Sequence, residues 1–390
     1  MKKYPLYKYA LLLASLLMAG SLAACSPKSD RAVGNNNIIT TYPSDIMDPT
    51  SVTVNPGGKP TVIPSDQALT LTPKPTGITV KPTVPILKPV GDPDKPDVPV
   101  QKPTGTPAKS EATPIPVSSS NVKVEAINVL GVTLSLGESM DSLVKKLGIP
   151  NRIVDTEYDF DYYVYNNDYK ELLFVAIAGN KIVGYYTDST DFTFHGISSG
   201  SSLSVVNTAL KQSFSLAEIL TLTTDQYTLK VLIDKLDTQK VTGVYVLAPT
   251  VKQDDYTDAV MKNIELLVFD LTNSIRARNG LSVLSWSSSA AMSARGHSVD
   301  MAVNNYFNHT DLTGRSPGDR MNAEGISYST YGENIIAGYG TAILSCHGWF
   351  NSTGHRSNML NKKFRYLGVG FSYQPDSSYG TYITQNFYRQ

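Results

Sequence analysis

The sequence predicts an α+β protein in which two folded regions follow an extended stalk. The C-terminal region is expected to be an α-β-α sandwich, and the region before it an α+β domain made of a repeated helix-plus-hairpin unit. Three observations predict this architecture. Residues 26–120 hold 18 of the 23 prolines. Residues 121–250 repeat one pattern at an offset of about 60 positions, and residues 251–390 combine amphipathic helices with a terminal strand pair.

Residues 1–25 have the composition of a secretory leader. Lysines precede an apolar run, Tyr9 to Ala19, that is too short to cross a bilayer as a helix. The run leads to LAAC, which ends at Cys25 and resembles the lipobox of bacterial lipoproteins, where the leader is cut before the cysteine and the thiol is acylated. We therefore expect an extracytoplasmic protein that is attached to the membrane by lipid on Cys25. An ordinary signal peptide cut at a small residue is the alternative.

Residues 26–120 are predicted to be a disordered stalk rich in proline, threonine and lysine. They contain very few aromatic residues and cannot bury enough apolar surface to offset the entropy of ordering. A seven-residue repeat places lysines at Lys74, Lys81, Lys88, Lys95 and Lys102. Proline in every repeat excludes a coiled coil and favours polyproline II. The segment would hold the folded regions away from the membrane, although a linker without contacts of its own has the same composition.

Charge content disfavours a nucleic-acid-binding protein, and cysteine content disfavours a disulfide-stabilised one. The chain has 34 basic and 34 acidic residues, and no region carries the basic excess that nucleic-acid binding requires. The cysteines are Cys25 and Cys346, so lipid on Cys25 would leave no intramolecular disulfide. The neighbourhood of Cys346 has helical spacing, which predicts a small buried apolar residue.

Residues 121–250 contain two copies of one unit. The helical patterns start at Leu136 and Ser199, and each has a glycine turn and a serine cap. Two alternating runs follow each helix, with Gly179 and Asn180 as the turn of the first hairpin. We expect the two units to bury their faces against one shared antiparallel sheet.

Between the two units, acidic and aromatic residues alternate from Glu157 to Tyr162. Glu157, Asp159 and Asp161 would lie on one face of a strand, where they could attract a cation. Calcium sites, however, take their oxygens from converging loops. The pattern therefore favours a solvated strand face.

Local signals in residues 251–390 define three helix starts and a hairpin. A long helix begins near Asp258 and stops at Asn279-Gly280, and a second is capped near Ser289. SPGDRM provides Ser316 as a cap, Pro317 at the first helical position and an aspartate near the helix N-terminus. Helices on both sides of a terminal strand pair predict a layered α/β/α unit.

Four sequence pieces in this region carry a family resemblance. They are YFNHT from Tyr306, GENI from Gly332, WFNSTGHRSNML from Trp349, and GVG followed by YITQNF near the end. Their order and separation resemble the CAP superfamily of cysteine-rich secretory proteins, antigen 5 and plant pathogenesis-related proteins, in its bacterial form. The resemblance covers residues of about 256 to 390. Residues 121–250 resemble the CAP-associated N-terminal domain.

The resemblance implies a surface cleft in which His309 and His355 face each other beside Glu333. Asn334 and Ser352 are expected to line the same cleft. Ser352 stands where many eukaryotic members have a second glutamate, which removes one candidate acid or base, and it is expected to cap the short helix that bears His355. His347 is expected to be a surface or packing residue.

Two neutral imidazoles beside a carboxylate suit zinc or another divalent ion with positions left for water. The favoured hypothesis is a surface-displayed binding module for a divalent metal and a small ligand or cell-wall polymer. The alternative is a metal-assisted hydrolase of peptide, ester or cell-wall substrates with Glu333 as the base. Binding is favoured because one carboxylate and two histidines without a nucleophile or oxyanion donor form an incomplete catalytic set.

We predict that membrane attachment depends on the sulfur of Cys25. Cys25→Ser protein expressed in its host should appear in the medium or remain unprocessed, because serine cannot accept the thioether-linked lipid. Wild-type protein should partition into the detergent phase, which phase separation and immunoblotting measure. Equal partitioning of the two proteins would show that the leader ends in an ordinary signal-peptide site.

Overall fold

A computed structural model of the protein describes residues 126–390. The predicted leader with Cys25 and the predicted stalk lie outside the described residues. Within residues 126–390 none of the helices has both the length and the apolar character needed to cross a membrane.

The N-terminal region contains two helices and two antiparallel sheets. The helices are α1 (Met140–Leu147) and α2 (Leu203–Leu210). The strands are β1 (Ile127–Val129), β2 (Val132–Leu134), β3 (Arg152–Asp155), β4 (Asp161–Tyr165), β5 (Leu173–Ala178), β6 (Lys181–Thr187), β7 (Thr193–Phe194), β8 (Ile197–Ser198), β9 (Ile219–Thr223), β10 (Thr228–Ile233) and β11 (Val241–Leu247). The large sheet has the order β3-β4-β5-β6-β11-β10-β9, and the small one β2-β1-β7-β8.

The predicted repeat is confirmed in the large sheet. The hairpins β5-β6 and β10-β11 follow α1 and α2 and lie side by side, because β6 pairs with β11. Ser139 and Ser202 cap the two helices by accepting from Ser142 N and Val205 N. At the first hairpin, positive φ angles of 53° and 66° at Gly179 and Asn180 match the turn that favours a right-handed twist. The small sheet was not predicted, since strands of two or three residues show no periodicity.

The acidic stretch between the units does not form the solvated strand face that the sequence predicted. The strand begins only at Asp161, which pairs with Asp155, so Glu157 and Asp159 belong to the connection between β3 and β4. Asp159 is exposed, but Glu157 is only 3% exposed. Its backbone carbonyl accepts from Asp254 N in the segment that leads to the C-terminal region. Burial raises the pKa of Glu157 to about 7.

The C-terminal region is an α-β-α sandwich. Its elements are α3 (Asp258–Arg278), β12 (Ser285–Trp286), α4 (Ser288–Val303), α5 (Pro317–Ala323), β13 (Thr330–Ala337), α6 (Ala342–Phe350), α7 (Thr353–Met359), β14 (Tyr366–Gln374) and β15 (Gly380–Arg389). The sheet order is β12-β14-β15-β13, which leaves β13 at one edge. Helix α4 covers one face of the sheet, and α3 with α6 covers the other.

Two glycines allow α4 to lie directly on the sheet. A Cβ on Gly368 would be 2.1 Å from Ala291 N, and a Cβ on Gly370 would be 2.0 Å from Arg295 N. No side chain could be accommodated at either position without moving the helix. The predicted start of α4 near Ser289 is two residues late, because Ser287 is the residue whose side chain accepts from Ala290 N. The start of α5 is confirmed as a capping box between Ser316 and Asp319.

Glu157 generates a pH prediction for the fold. The pKa of this carboxyl is 4.5 in the unfolded chain and about 7 in the folded protein. Its contribution to stability is therefore fully present below pH 4.5 and is lost as the pH rises through 7. Glu157→Gln should therefore raise the free energy of unfolding by about 3 kcal/mol at pH 8.5, but have little effect at pH 4.5.

Urea unfolding at several pH values measures this difference. The matched control is Asp155→Asn, which removes an exposed carboxylate at the end of β3, next to this connection, and should leave the pH dependence unchanged. An equal pH dependence in wild type and Glu157→Gln would contradict the assignment of a buried, protonated glutamic acid.

Candidate functional site

The candidate site lies at the edge strand β13, where the two helical layers meet. The outward carbonyl of Glu333 accepts from Asn358 Nδ2 at 3.1 Å, and that of Ile335 accepts from Trp349 Nε1 at 3.1 Å. Side chains of α7 and α6 thus cover an edge that would otherwise be open to further pairing. His309 approaches from the segment before α5, and His355 approaches on α7.

Glu333 is the centre of a buried charged cluster. Its Oε1 accepts from His309 Nδ1 at 2.8 Å and its Oε2 accepts from Arg320 Nη2 at 2.7 Å. Arg320 is buried and also donates to the backbone carbonyls of His309 and Arg315. The arginine therefore neutralises the carboxylate and holds the segment that carries His309.

The hydrogen bond to Glu333 determines the tautomer of His309. A carboxylate accepts, so Nδ1 carries the proton and the Nε2 lone pair of the half-exposed ring is left for another partner. A carboxylate that orients a histidine in this way is a common arrangement behind metal ligands.

His355 is held by its neighbours on both sides of α7. Its Nδ1 lies 2.9 Å from Ser352 Oγ, and its backbone carbonyl accepts from Asn334 Nδ2 at 3.1 Å. Burial lowers the pKa of His355, and the nearby His309 lowers it further. The ring therefore stays neutral to a lower pH than a free histidine. Among the described residues no hydrogen-bond partner is present for Nε2 of His309 or His355.

A third histidine, His297, lies behind the site. It is almost completely buried on α4, and its Nε2 is 2.9 Å from the Asn308 carbonyl and 4.0 Å from Glu333 Oε1. A carbonyl accepts only, so Nε2 carries the proton. Burial lowers the pKa of His297. No sequence motif connects this residue with the site.

The structure joins two of the predicted site residues, His309 and Glu333, by a hydrogen bond, and it places His355 near enough to His309 for that ring to lower its pKa. Ser352 occupies the N-cap position of α7, but its side chain makes no capping hydrogen bond and contacts His355 instead. Asn334 does not line the cleft as expected, because its side chain is buried and supports α7 from behind. Cys25, the predicted lipidation site, lies outside the described residues.

His347 is a packing residue, as the sequence allowed. Its Nε2 donates to the Glu218 carbonyl at 2.9 Å, and burial lowers its pKa to about 4. Cys346 is fully buried, as predicted.

Arg320 is the site residue that sequence reasoning missed. Arg320 belongs to the SPGDRM motif, which predicts the start of a helix. That pattern does not show that the arginine is buried or that it pairs with a glutamate 13 positions away.

The site offers few side-chain donors for a metal ion. Across residues 126–390 no group of three or more histidine, cysteine, aspartate or glutamate side chains is arranged to hold one. Glu333 is poorly placed to act as a direct ligand, since its side chain is only 2% exposed and both oxygens accept hydrogen bonds from the protein. The two available donors are Nε2 of His309 and Nε2 of His355. These suit a borderline divalent ion such as zinc with its remaining positions taken by water or ligand atoms.

The fold agrees with comparisons to known families. Residues 269–387 match the model of the cysteine-rich secretory protein family, CAP, and residues 136–247 match the model of the CAP-associated N-terminal domain. The chain therefore carries a CAP domain preceded by a CAP-associated N-terminal domain, as the sequence pieces indicated.

Individual relatives are bacterial. The uncharacterized membrane protein YlbC of Bacillus subtilis is 29% identical over 297 residues, which span 67% of this chain and 84% of YlbC. The uncharacterized protein YkwD of the same organism is 45% identical over 107 residues, or 27% of this chain and 42% of YkwD.

Solved structures show the same fold. An extracellular SCP-domain protein of Bacillus anthracis matches with a TM-score of 0.57 at 26% identity, covering 65% of this chain and 94% of that one. A cysteine-rich secretory protein of Staphylococcus aureus matches with a TM-score of 0.52 at 17% identity, again covering 65% and 94%. Residues 258–390 thus have the fold of a CAP domain, and the chain is similar to bacterial proteins described as extracellular.

The buried ion pair generates a stability prediction. Arg320→Met leaves the Glu333 carboxylate buried without its counter-charge, which should cost about 3 to 5 kcal/mol of unfolding free energy at neutral pH. The matched control is Arg315→Met. Arg315 pairs with Asp311 but is 55% exposed, so its loss should cost at most about 1 kcal/mol. Urea unfolding measures both, and equal costs would contradict a central role for the buried pair.

Proposed function

We propose that this protein is a cell-surface lipoprotein that displays the His309–His355 cleft as a binding site for a divalent metal ion and a small ligand or cell-envelope component. The observation that carries the proposal is the hydrogen bonding of the two imidazole rings. Each has its Nδ1 occupied by a side chain of the protein, and each has Nε2 left for an external partner.

The environment of the pair favours a neutral, metal-competent state. A metal ligand must be deprotonated, and the lowered pKa of His355 helps to keep its ring neutral. Glu333 would orient His309 from behind while Arg320 balances its charge. The metal would supply a positive centre with open positions, at which an anionic or carbonyl-bearing ligand could bind.

Binding is favoured over hydrolysis because Glu333 is engaged at both oxygens. A general base needs a lone pair directed at the water that it activates, and here both carboxylate oxygens accept from Arg320 and His309. The hydrolase alternative requires water to reach a remaining lone pair of this carboxylate, whose side chain is only 2% exposed. Glu333→Gln distinguishes the two, since it would abolish base catalysis but retain much of the metal binding through the histidines.

The cell-surface part of the proposal rests on the leader and on the relatives. The LAAC tetrapeptide ending at Cys25 supports a lipid anchor in the membrane. One relative is named a membrane protein, and one solved neighbour is described as extracellular. Cell-wall polymers are the partners that such a location would offer.

A zinc titration tests the metal site. Adding zinc at pH 7.5 to the chain starting at residue 26 should raise its melting temperature, because a ligand of the folded state alone stabilises by about 2.7 kcal/mol at 100 times its Kd. His309→Ala or His355→Ala should abolish the gain. Lowering the pH should weaken binding, since protons compete for the ligand nitrogen, and for His355 the loss should come below the usual histidine range because its pKa is lowered.

The matched control is His195→Asn. His195 belongs to the N-terminal region and has a φ of 52°, a left-handed conformation that asparagine tolerates. This variant should retain the full zinc effect. His347→Ala is a poor control because it empties a buried site. A zinc effect that survives the double substitution of His309 and His355 would place the ion elsewhere and refute the proposed function.

A further inference from the structure

We infer that the CAP-associated N-terminal region is a positioning element of the cleft: Asp234, in the loop between β10 and β11, holds helix α7 and thereby sets the place of His355. The inference rests on the proposed function, since it assigns a role to residues that do not touch the metal or the ligand. It arises from the contacts between residues 234–240 and the corner formed by α6 and α7.

The central contact is a two-point ion pair between the regions. Arg356 Nη1 lies 2.6 Å from Asp234 Oδ1, and Arg356 Nη2 lies 3.0 Å from Asp234 Oδ2. Asp234 is 2% exposed, and the guanidinium also lies 4.0 Å over the Phe350 ring. Paired hydrogen bonds of this kind fix orientation as well as distance. Arg356 directly follows His355 in α7.

The same carboxylate also shapes its own loop. Oδ1 of Asp234 accepts from Asp237 N at 3.1 Å, and Oδ2 accepts from the backbone N of Thr238 at 3.3 Å and from its hydroxyl at 3.1 Å. Burial acts to raise the pKa of Asp234, but the hydrogen bonds from Arg356 and the loop lower it overall. Loss of the charge would therefore release Arg356 and loosen the loop together.

Two further side chains tie the α6–α7 corner to the N-terminal region. Asn351, between the helices, accepts from Lys235 N at 2.8 Å and donates to the Ile233 carbonyl at 3.1 Å. His347 on α6 donates to the Glu218 carbonyl. The corner is thus held at three points, and Arg356 is the point nearest to the site.

Helix α7 needs such ties because its apolar packing is slight. It has seven residues, of which only Met359 is buried, and a helix of two turns has no stability of its own. Arg276 of α3 holds the C-terminal end by donating to the carbonyls of Met359 and Asn361 at 2.7 and 3.0 Å. Asp234 holds the turn that carries His355. The distance between the two imidazoles therefore depends on a residue outside the CAP domain.

The test compares Asp234→Asn with Asp237→Asn in the full chain, purified in detergent. Asp237 lies in the same loop, 3.5 Å from Arg356, but its side chain is 72% exposed. Zinc affinity is measured by calorimetry at a temperature where melting curves show both variants folded. Asp234→Asn should weaken zinc binding at least tenfold, the effect of losing a residue that orients a ligand. Asp237→Asn should remain within about twofold of wild type.

A double-substitution cycle separates positioning from general destabilisation. Asp234→Asn and Arg356→Gln should each weaken zinc binding, and the double variant should be no weaker than the worse single variant, because one contact is lost in all three. Additive losses would overturn the inference. If Asp234→Asn fails to fold, Arg356→Lys takes its place, since lysine keeps the charge but not the two-point geometry.

A second readout does not depend on zinc. The chain has five histidines, so ring Cε1–Hε1 signals can be assigned by substitution. In metal-free protein at pH 7.5, Asp234→Asn should displace the His355 signal and leave that of His195 in place. If wild type binds no zinc, the proposed function fails and this signal alone decides the inference. An unmoved His355 signal in Asp234→Asn would overturn it.

Discussion

Helix α3 is buried along most of its length although it carries many polar and charged side chains. Glu265, Asp270, Asn273, Ser274 and Arg276 are each at most 2% exposed. Buried polar groups are costly unless they find partners, and every element around α3 supplies one. This requirement joins the sheet, the N-terminal region and α7 to one helix.

The partners of α3 come from both regions of the chain. Asp270 accepts from Arg152, Asn166 and Tyr169 of the N-terminal region. Ser274 donates to Asp188, and Arg278 forms an ion pair with it. Burial raises the pKa of Asp188 in spite of the nearby arginine. Breaking such buried contacts would leave charges without partners. The two regions are therefore expected to behave as one rigid body.

The candidate site also contains a buried charge that requires partners. Glu333 is tolerated inside the protein because Arg320 and His309 satisfy it, and this satisfaction directs the free lone pair of His309 outward. A carboxylate used for orientation is not available for proton transfer. This arrangement is one reason for which the proposal favours binding over hydrolysis.

Much of the secondary structure was determined by local sequence. The capping box from Ser316 and the hairpin turn at Gly179-Asn180 depend on interactions within a few residues. Helical spacing around Cys346 correctly predicted that this residue is buried. The resemblance to a known family implied that His309, Glu333 and His355 share one cleft, and the structure shows the hydrogen bond between His309 and Glu333 and the influence of His309 on His355.

Tertiary structure alone decided how these residues are used. Asp234 and Arg356 are 122 positions apart, and Glu333 and Arg320 are 13 apart on different elements. No periodicity connects such positions, because their pairing arises only when separate strands and helices pack. The same reason explains Glu157, whose alternating neighbourhood predicted an exposed strand, whereas the packing of the connection against residues 252–254 buried it.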